Sequence, residues 1–132
     1  MEIPVELSRL IINESSEQQL IVLKEKAGTR AVPIVIGIVE IFAIDRRHKG
    51  IRAPRPMTHD LVGDIIEKLG GKIVKVVVDD LVDHTFFAKI HILLAGKITP
   101  IDARPSDAIA IGVGFNVPFF VEDHVLDATG KD

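Results

Sequence analysis

Valine and isoleucine dominate this chain, and their abundance most constrains how it can fold. The 132 residues include 15 Val and 19 Ile, and hydrophobic residues make up 47% of the chain. β-branched side chains favour extended backbone and pack well on a pleated sheet. A chain of this length and apolar content can bury a core, which excludes a disordered tail. The composition therefore predicts one domain over residues 1–132, rich in strands, and argues against a helical bundle.

The residue types that the chain lacks restrict its chemistry. It contains no Cys, which excludes a disulfide scaffold, a thiolate metal site and a cysteine nucleophile. It also contains no Trp and no Tyr, which argues against nucleic-acid binding that relies on base stacking. The formal net charge is −3, so any affinity for phosphate must be local. Carboxylates, His and Arg remain as the available chemical groups.

The N-terminal residues carry no basic segment followed by an apolar one, so no signal peptide is predicted. No apolar run approaches the roughly 18 residues of a membrane span. We therefore expect a cytoplasmic protein that does not bind a membrane. The chain has two Met, two Asn and two Gln. A scarcity of thermolabile residues is typical of a thermophilic source.

Alternating apolar residues and turn residues divide the chain into an ordered series of elements. The predicted strands are 5–12, 19–26, 31–36, 72–79, 85–94 and 98–103, followed by an extended stretch over 117–121. The predicted helices are 39–47, 58–69, 105–113 and 122–127. Within the helix over 58–69, four residues form the apolar stripe: Leu61, Ile65, Ile66 and Leu69.

The second half of the chain repeats the order of elements in the first half. A shift of 67 residues places Pro33 on Pro100 and Glu40 on Asp107 without a gap. We interpret this as a duplication of a β-β-β-α-α unit, with pseudo-repeats over about 1–70 and 71–132. The alternative is that hairpin–helix units resemble one another in any case. Either interpretation predicts an α+β fold with a mixed or largely antiparallel sheet.

Residues 46–56 form a basic segment, RRHKGIRAPRP, with five formal positive charges and no acidic residue. Such a local excess is typical of a segment that contacts phosphate or nucleic acid. The alternative is a solvated connection between two helices. Charge alone does not separate the two interpretations.

Two predicted helices begin with a similar pattern. Arg55 and Thr58 stand at the start of one, and Arg104 and Ser106 at the start of the other. The free N–H groups of a helix start attract anions, and Arg can bind phosphate through two hydrogen bonds. Ordinary capping explains Pro, Ser, Thr and early Asp equally well, but it does not require Arg. The pattern predicts Arg55, Thr58, Arg104 and Ser106 as phosphate-binding residues.

His59 is the predicted general acid or base, because an imidazole titrates near neutral pH. Asp60, which follows it, is a second predicted catalytic residue. The alternative for His59 is an exposed residue of a first helical turn. Three carboxylates, those of Glu40, Asp102 and Asp107, are the candidates to hold Mg²⁺ or Mn²⁺ for phosphodiester hydrolysis. Residues 79–84 contain three Asp and one His, which we interpret as a turn in preference to a metal site.

Three strings of the sequence resemble the bifunctional nuclease domain family, a small bacterial domain family named for a plant member with DNase and RNase activity. They are RPMTHDL over 55–61, DDLVDHTFFA over 79–88 and IDARPSDAIA over 101–110. The resemblance implies a stand-alone domain that is oligomeric and acts as a nuclease. The positions that match the family's motifs are Arg55, Thr58, His59, Asp60, Asp102, Arg104, Ser106 and Asp107. His84 stands where the family commonly has a Gly in the hairpin turn.

These observations lead to two functional hypotheses. The first is a nuclease that hydrolyses phosphodiester bonds of DNA or RNA with the help of a divalent cation. The second is a non-catalytic oligomeric module that binds a phosphorylated ligand or a protein partner with the same residues. The nuclease hypothesis requires Glu40, Asp102 and Asp107 to share a cleft if they hold cations together, since paired catalytic cations lie about 3.5–4 Å apart.

Overall fold

Seven strands form one mixed sheet in the computed structural model, which describes residues 1–129. The strands are β1 (Glu2–Ile11), β2 (Gln18–Glu25), β3 (Ala31–Gly37), β4 (Lys72–Val82), β5 (Thr85–Leu94), β6 (Lys97–Ala103) and β7 (Phe119–Glu122). The helices are α1 (Ile38–His48), α2 (Thr58–Lys68), α3 (Pro105–Gly114) and α4 (Asp123–Thr129). The predicted α+β class with a mixed sheet is confirmed.

The strand order is β3-β2-β1-β7-β4-β5-β6, so two three-stranded meanders flank the short strand β7. All neighbouring strands are antiparallel except β4 and β7, which are parallel. The order β-β-β-α occurs in both halves, as the 67-residue shift predicts, but β7 separates α3 from α4 in the second half only. Whether the two halves arose by duplication stays a prediction.

The core lies between the helices and one face of the sheet. Alternate strand residues such as Ile21, Ile34 and Ile90 pack in a single cluster with Ile44 of α1 and Ile109 of α3. This alternation is the period of two that strands require, and it explains how so many β-branched residues are accommodated. None of the helices within residues 1–129 is long and apolar enough to cross a lipid bilayer.

The apolar stripe predicted for α2 does not face this core. Leu61 and Ile65 are each 49% exposed, Leu69 is 76% exposed, and only Ile66 packs against the core cluster. Helix α2 instead turns Gly63, its one buried residue, toward Phe115 just beyond α3. A Cβ at position 63 would overlap the Phe115 ring. The close approach of α2 is therefore made through a glycine, and its large apolar side chains are left at the surface.

The segment 79–84 is a hairpin, with the turn shorter than predicted. Strand β4 continues to Val82, and the reversal is made by Asp83 and His84, whose φ angles are 50° and 66°. Two consecutive positive φ values are typical of the type I′ turn that joins antiparallel strands. Asp79 stays in the strand and pairs with Lys89. The turn interpretation is confirmed, and the turn itself consists of residues 83 and 84.

Candidate active site

The first turns of α1, α2 and α3 supply the polar side chains of one cluster. Glu40 is the third residue of α1, His59 the second of α2 and Asp107 the third of α3. Helix α3 contacts both α1 and α2, which brings these helix starts together. The strand-to-helix junctions explain the arrangement: β3 passes directly into α1 at Gly37, and β6 reaches α3 through Arg104.

Asp107 is the centre of the cluster. Its Oδ1 lies 3.0 Å from His59 Nε2, and its Oδ2 accepts a hydrogen bond of 3.0 Å from Arg104 Nε. Arg104 Nη1 is also 3.7 Å from Glu40 Oε2. We refer to Glu40, His59, Arg104 and Asp107 as the active-site cluster. It joins residues far apart in the sequence and combines an imidazole, a guanidinium and two carboxylates.

The electrostatics of the cluster favour an ionised Asp107. Partial burial raises the pKa of the Asp107 carboxyl, but hydrogen bonds from His59 and Arg104 and the charge of Arg104 more than offset it, so the pKa is lowered. The pKa of Arg104 is raised, first by its hydrogen bond to Asp107. An ionised carboxylate at Nε2 fixes the orientation of an imidazole ring. Asp107 can therefore prepare His59 for proton transfer at the other ring nitrogen.

A pocket of about 610 Å³ borders this cluster. Its lining includes Glu40, Arg104 and Ser106 from the helix starts and His84 and Phe86 from the β4–β5 hairpin. The Arg104 side chain is 67% exposed, so an anion can reach it. The pocket is large enough for part of a small-molecule or oligomeric ligand, since ligand pockets span about 300–1,000 Å³. The helix starts thus form one wall of an open cleft.

Gly37 at the start of α1 and His84 at the hairpin tip were not predicted as site residues. A Cβ at position 37 would overlap the Glu40 carboxylate, so a glycine there lets Glu40 fold back over the start of its own helix. The signal in the sequence that could have identified Gly37 is a glycine three residues before an early-helix acid, Glu40. The fold alone shows that His84 lines the pocket.

Not all predicted site residues join the cluster. Asp102 lies in β6 on the opposite sheet face from Ala88 and Ala103, and its Oδ1 is 3.6 Å from Lys89 Nζ. Asp60 contacts Arg47 and Met57 instead: its Oδ1 lies 3.2 Å from Arg47 Nη2, and its Oδ2 accepts a hydrogen bond from the Met57 N–H. Arg55 and Thr58 are exposed. Ser106 is buried and lines the pocket beside Arg104.

The predicted cation site requires Asp102 to lie beside Glu40 and Asp107, but Asp102 is separated from both. Within residues 1–129, no three or more His, Asp or Glu side chains are grouped so that they could hold a metal ion. Glu40 and Asp107 meet at Arg104, which occupies carboxylate oxygens that a cation would use. Glu40, Asp102 and Asp107 therefore do not form a common cation site.

Thr58 and Ser106 do not cap their helices. The residue before the first turn is Met57 in α2 and Arg104 in α3, and neither helix has a hydroxyl cap. In α2 the capping bond comes from Asp60, whose Oδ2 accepts a hydrogen bond of 2.9 Å from the Met57 N–H. A carboxylate at this position satisfies a free amide of the helix start. The predicted capping role of the Thr58 hydroxyl is wrong, because α2 begins one residue too early for it.

Comparison with known proteins agrees with the resemblance in the sequence. The chain is 38% identical over 119 residues to an uncharacterized protein of Mycobacterium tuberculosis, which covers 90% of this chain and 71% of that protein. It is 29% identical over 114 residues to bifunctional nuclease 2 of Arabidopsis thaliana, covering 83% of this chain and 35% of the plant protein. For bifunctional nuclease 1 of Oryza sativa subsp. japonica the identity is 25% over 125 residues, covering 92% of this chain and 38% of the rice protein.

The chain thus spans only about a third of the length of these plant nucleases. The family described as the bifunctional nuclease domain matches residues 21–132, which is most of the chain. That range includes the three strings on which the resemblance rests and every member of the active-site cluster. The chain therefore belongs to the bifunctional nuclease domain family.

Proposed function

We propose that this protein hydrolyses phosphodiester bonds of nucleic acid at the active-site cluster. The observation that carries the proposal is the His59–Asp107 pair, joined at 3.0 Å, with the exposed Arg104 bound to the same carboxylate. An oriented imidazole supplies a proton acceptor, and a neighbouring guanidinium supplies a site for a phosphate oxygen. The names of the plant relatives, which are nucleases, support the same substrate class.

Each residue of the cluster has one role in the proposed reaction. Arg104 binds a non-bridging phosphate oxygen and stabilises the charge that develops there. His59 takes a proton from a water molecule at the ring nitrogen that faces away from Asp107. The water oxygen bonds to phosphorus, the bond from phosphorus to the leaving sugar oxygen breaks, and that oxygen takes a proton from solvent. Asp107 is a positioning residue, because it acts through His59.

Glu40 and Ser106 complete the proposed site. The Glu40 carboxylate lies on the other side of Arg104 from Asp107, so it limits where the guanidinium can move. Ser106 brings a hydroxyl to the pocket wall next to Arg104. We assign Ser106 to the binding of a phosphate oxygen, as the sequence pattern predicted. Arg55 and Thr58 are exposed at the start of α2, where they can contact more distant phosphates of a strand.

Cleavage of labelled DNA and RNA by the purified protein tests the proposal, with two Asp→Asn variants as a matched pair. Asp107→Asn removes the carboxylate that holds His59, and we expect cleavage to fall about 100-fold or more. Asp102→Asn makes the same chemical change outside the cluster, and we expect cleavage to stay within about twofold of the unmodified rate, since surface changes outside a site have small effects.

The outcomes of this assay separate the hypotheses. Equal cleavage by the two variants would contradict the assignment of the cluster. Binding of nucleic acid without any cleavage would favour the non-catalytic module. A parallel series with EDTA, and with Mg²⁺ or Mn²⁺ added back, measures whether a cation assists. Activity that is lost in EDTA and restored by the cation would support assistance, although Glu40, Asp102 and Asp107 do not share a site.

The oligomeric state and the cellular location remain part of the proposal. The family resemblance implies a homo-oligomer, and the exposed apolar residues of α2 leave surface that a second copy can cover. Light scattering of the purified protein across a range of concentrations measures the mass directly. The expected cytoplasmic location and thermophilic source stay predictions.

A further inference from the structure

A buried arginine outside the active-site cluster has unused hydrogen-bond donors. The Arg47 side chain, in the last turn of α1, is only 5% exposed. Its Nη1 donates to the Ala43 carbonyl oxygen at 2.8 Å. Its Nε and Nη2 are buried and have no hydrogen-bond partner among residues 1–129, although Nη2 lies 3.2 Å from Asp60 Oδ1. Asp60 balances the charge of Arg47, but buried donors without acceptors are costly, so a further acceptor group is expected nearby.

Arg47 lines a pocket of about 560 Å³, which we call the arginine pocket. Its walls are the end of α1, the 50–56 part of the connection to α2, the first turns of α2 and the end of α3. The basic segment 46–56 that the sequence analysis identified thus forms one side of a cavity. It is not merely a solvated link between helices.

The charges of the arginine pocket favour an anion. Arg46 and Arg52 line it together with Arg47, and they face the carboxylates of Asp60 and Asp64. Three guanidinium groups against two carboxylates leave a positive excess, whereas the chain as a whole has a net charge of −3. Guanidinium groups match phosphate oxygens in geometry as well as in charge.

The remaining walls favour a ligand larger than a simple anion. Ile51, Pro54 and Phe115 contribute apolar surface to the pocket. A volume of this size is within the range of about 300–1,000 Å³ that holds small organic ligands. Apolar surface beside guanidinium groups suits the face of a base, while the carboxylate of Asp64 can accept hydrogen bonds from a sugar hydroxyl or a base amino group.

We propose that the arginine pocket binds one nucleotide unit, with its phosphate group at Arg46 and Arg52 and its charge compensated by the buried Arg47. Asp60 lines the pocket, and His59, its neighbour in the chain, belongs to the active-site cluster. The pocket therefore adjoins the cluster across the first turn of α2. This inference rests on the proposed nuclease function in one respect only, the source of the nucleotide. If the protein is a nuclease, the bound nucleotide is part of the nucleic-acid strand.

Binding to the isotopically labelled full chain, followed by NMR, tests the proposal. The probes are adenosine monophosphate, adenosine without phosphate, and a hexanucleotide added to the cleavage-deficient Asp107→Asn variant. We expect adenosine monophosphate to shift the amide resonances of the non-proline residues within 50–57. We also expect it to bind at least about tenfold tighter than adenosine, because a charged hydrogen bond to phosphate is lost in the latter.

Two Arg→Ala variants provide the matched comparison. Arg52 is exposed, so Arg52→Ala removes a phosphate contact without emptying the core, and we expect adenosine monophosphate to bind about tenfold more weakly. Arg9, on β1, is also exposed and does not line the pocket, so Arg9→Ala should leave the affinity unchanged. Both variants are compared with the unmodified chain by thermal unfolding to confirm that they fold.

Equal affinity for adenosine and adenosine monophosphate, or an equal effect of the two variants, would overturn the assignment of the pocket. Tighter binding of the hexanucleotide than of the mononucleotide supports a strand as the source, and the reverse supports a free mononucleotide. If the protein binds adenosine monophosphate in this way but cleaves no nucleic acid, the pocket stands and the nuclease proposal fails. If it cleaves but Arg52→Ala binds normally, only the nuclease proposal stands.

Discussion

Helices α2 and α3 begin with the same residue types but use them differently. In α3 the arginine of the Arg-Pro pair directly precedes the helix, and Pro105 is its first residue. In α2 the helix begins only at Thr58, two residues after Pro56, so Arg55 lies outside the first turn. Arg104 consequently reaches the carboxylates of its own helix start, whereas Arg55 projects from the connecting segment. A difference of two residues in the helix start separates an active-site arginine from a surface one.

The aspartates in the first turns of α2 and α3 also have different contacts. Asp60 and Asp107 are each the third residue of their helix. Asp60 accepts the Met57 amide and faces the buried Arg47, so it stabilises the helix start and its neighbour. Asp107 uses its two oxygens for His59 and Arg104. The same position in the two helices thus has two roles. Asp60 stabilises the start of its helix, whereas Asp107 holds His59 and Arg104 together.

The two helices that carry these aspartates differ in burial. Helix α3 is buried along most of its length, whereas in α2 only Gly63 is buried. A helix surrounded by the core holds the side chains of its first turn in place by packing. The active-site cluster therefore rests on α3, and α2 contributes His59 from a more weakly anchored position.

The largest expected effect on stability comes from removing a buried apolar side chain of α3, in comparison with an exposed one of α2. Ile109→Ala removes a fully buried side chain of α3 and should lower the free energy of unfolding by about 2–5 kcal/mol. Ile65→Ala removes a half-exposed side chain of α2 and should cost below about 1 kcal/mol. Urea unfolding measures both. If Ile65→Ala lowers the free energy of unfolding only at high protein concentration, a second copy of the chain covers α2. If Ile65→Ala and Ile109→Ala lower it equally at every concentration, the contrast in burial is contradicted.

A second pair of variants tests the contact between α2 and the end of α3. Gly63→Ala places a Cβ on the Phe115 ring and should destabilise the protein by about 1–3 kcal/mol. Gly114→Ala places its Cβ in ordinary contact, 3.4 Å from Arg47 Cδ, and should be neutral or stabilising by up to about 1 kcal/mol. Thermal unfolding distinguishes them, and a stable Gly63→Ala protein would show that α2 can move away from α3 at little cost.

The smallest expected effect concerns acid stability. The pKa of Asp107 is lowered in the folded state, so its contribution to stability is complete above the pKa of the unfolded chain and is lost as the pH falls through the folded value. The stability difference between the unmodified protein and Asp107→Asn should therefore shrink as the pH decreases below about 5. The change is small because the Arg104 side chain is 67% exposed and that of Asp107 34% exposed, so solvent screens the pair. A difference that grows on acidification would contradict the assigned interactions.

Much of the fold was predictable because its signals are local. Six strands and four helices follow from alternation, turn residues and helix starts, and their bounds deviate by only a few residues. The apolar stripe of α2 was misleading because periodicity shows that a helix is amphipathic but not which side packs. Gly63 decided that side, and its role depends on a ring 52 positions later in the chain, at Phe115.

The candidate active site also combines features that the sequence predicts with others that only the fold decides. The sequence by itself determined the α+β class, the family and the candidate residue types, because these depend on composition, local pattern and motif strings. Only the tertiary structure decided that His59, Arg104, Asp107 and Glu40 meet while Asp102 lies on the other face of the sheet. The reason is geometric: adjacent residues of a strand point to opposite faces, so one position separates Asp102 from the helix side that Ala103 occupies.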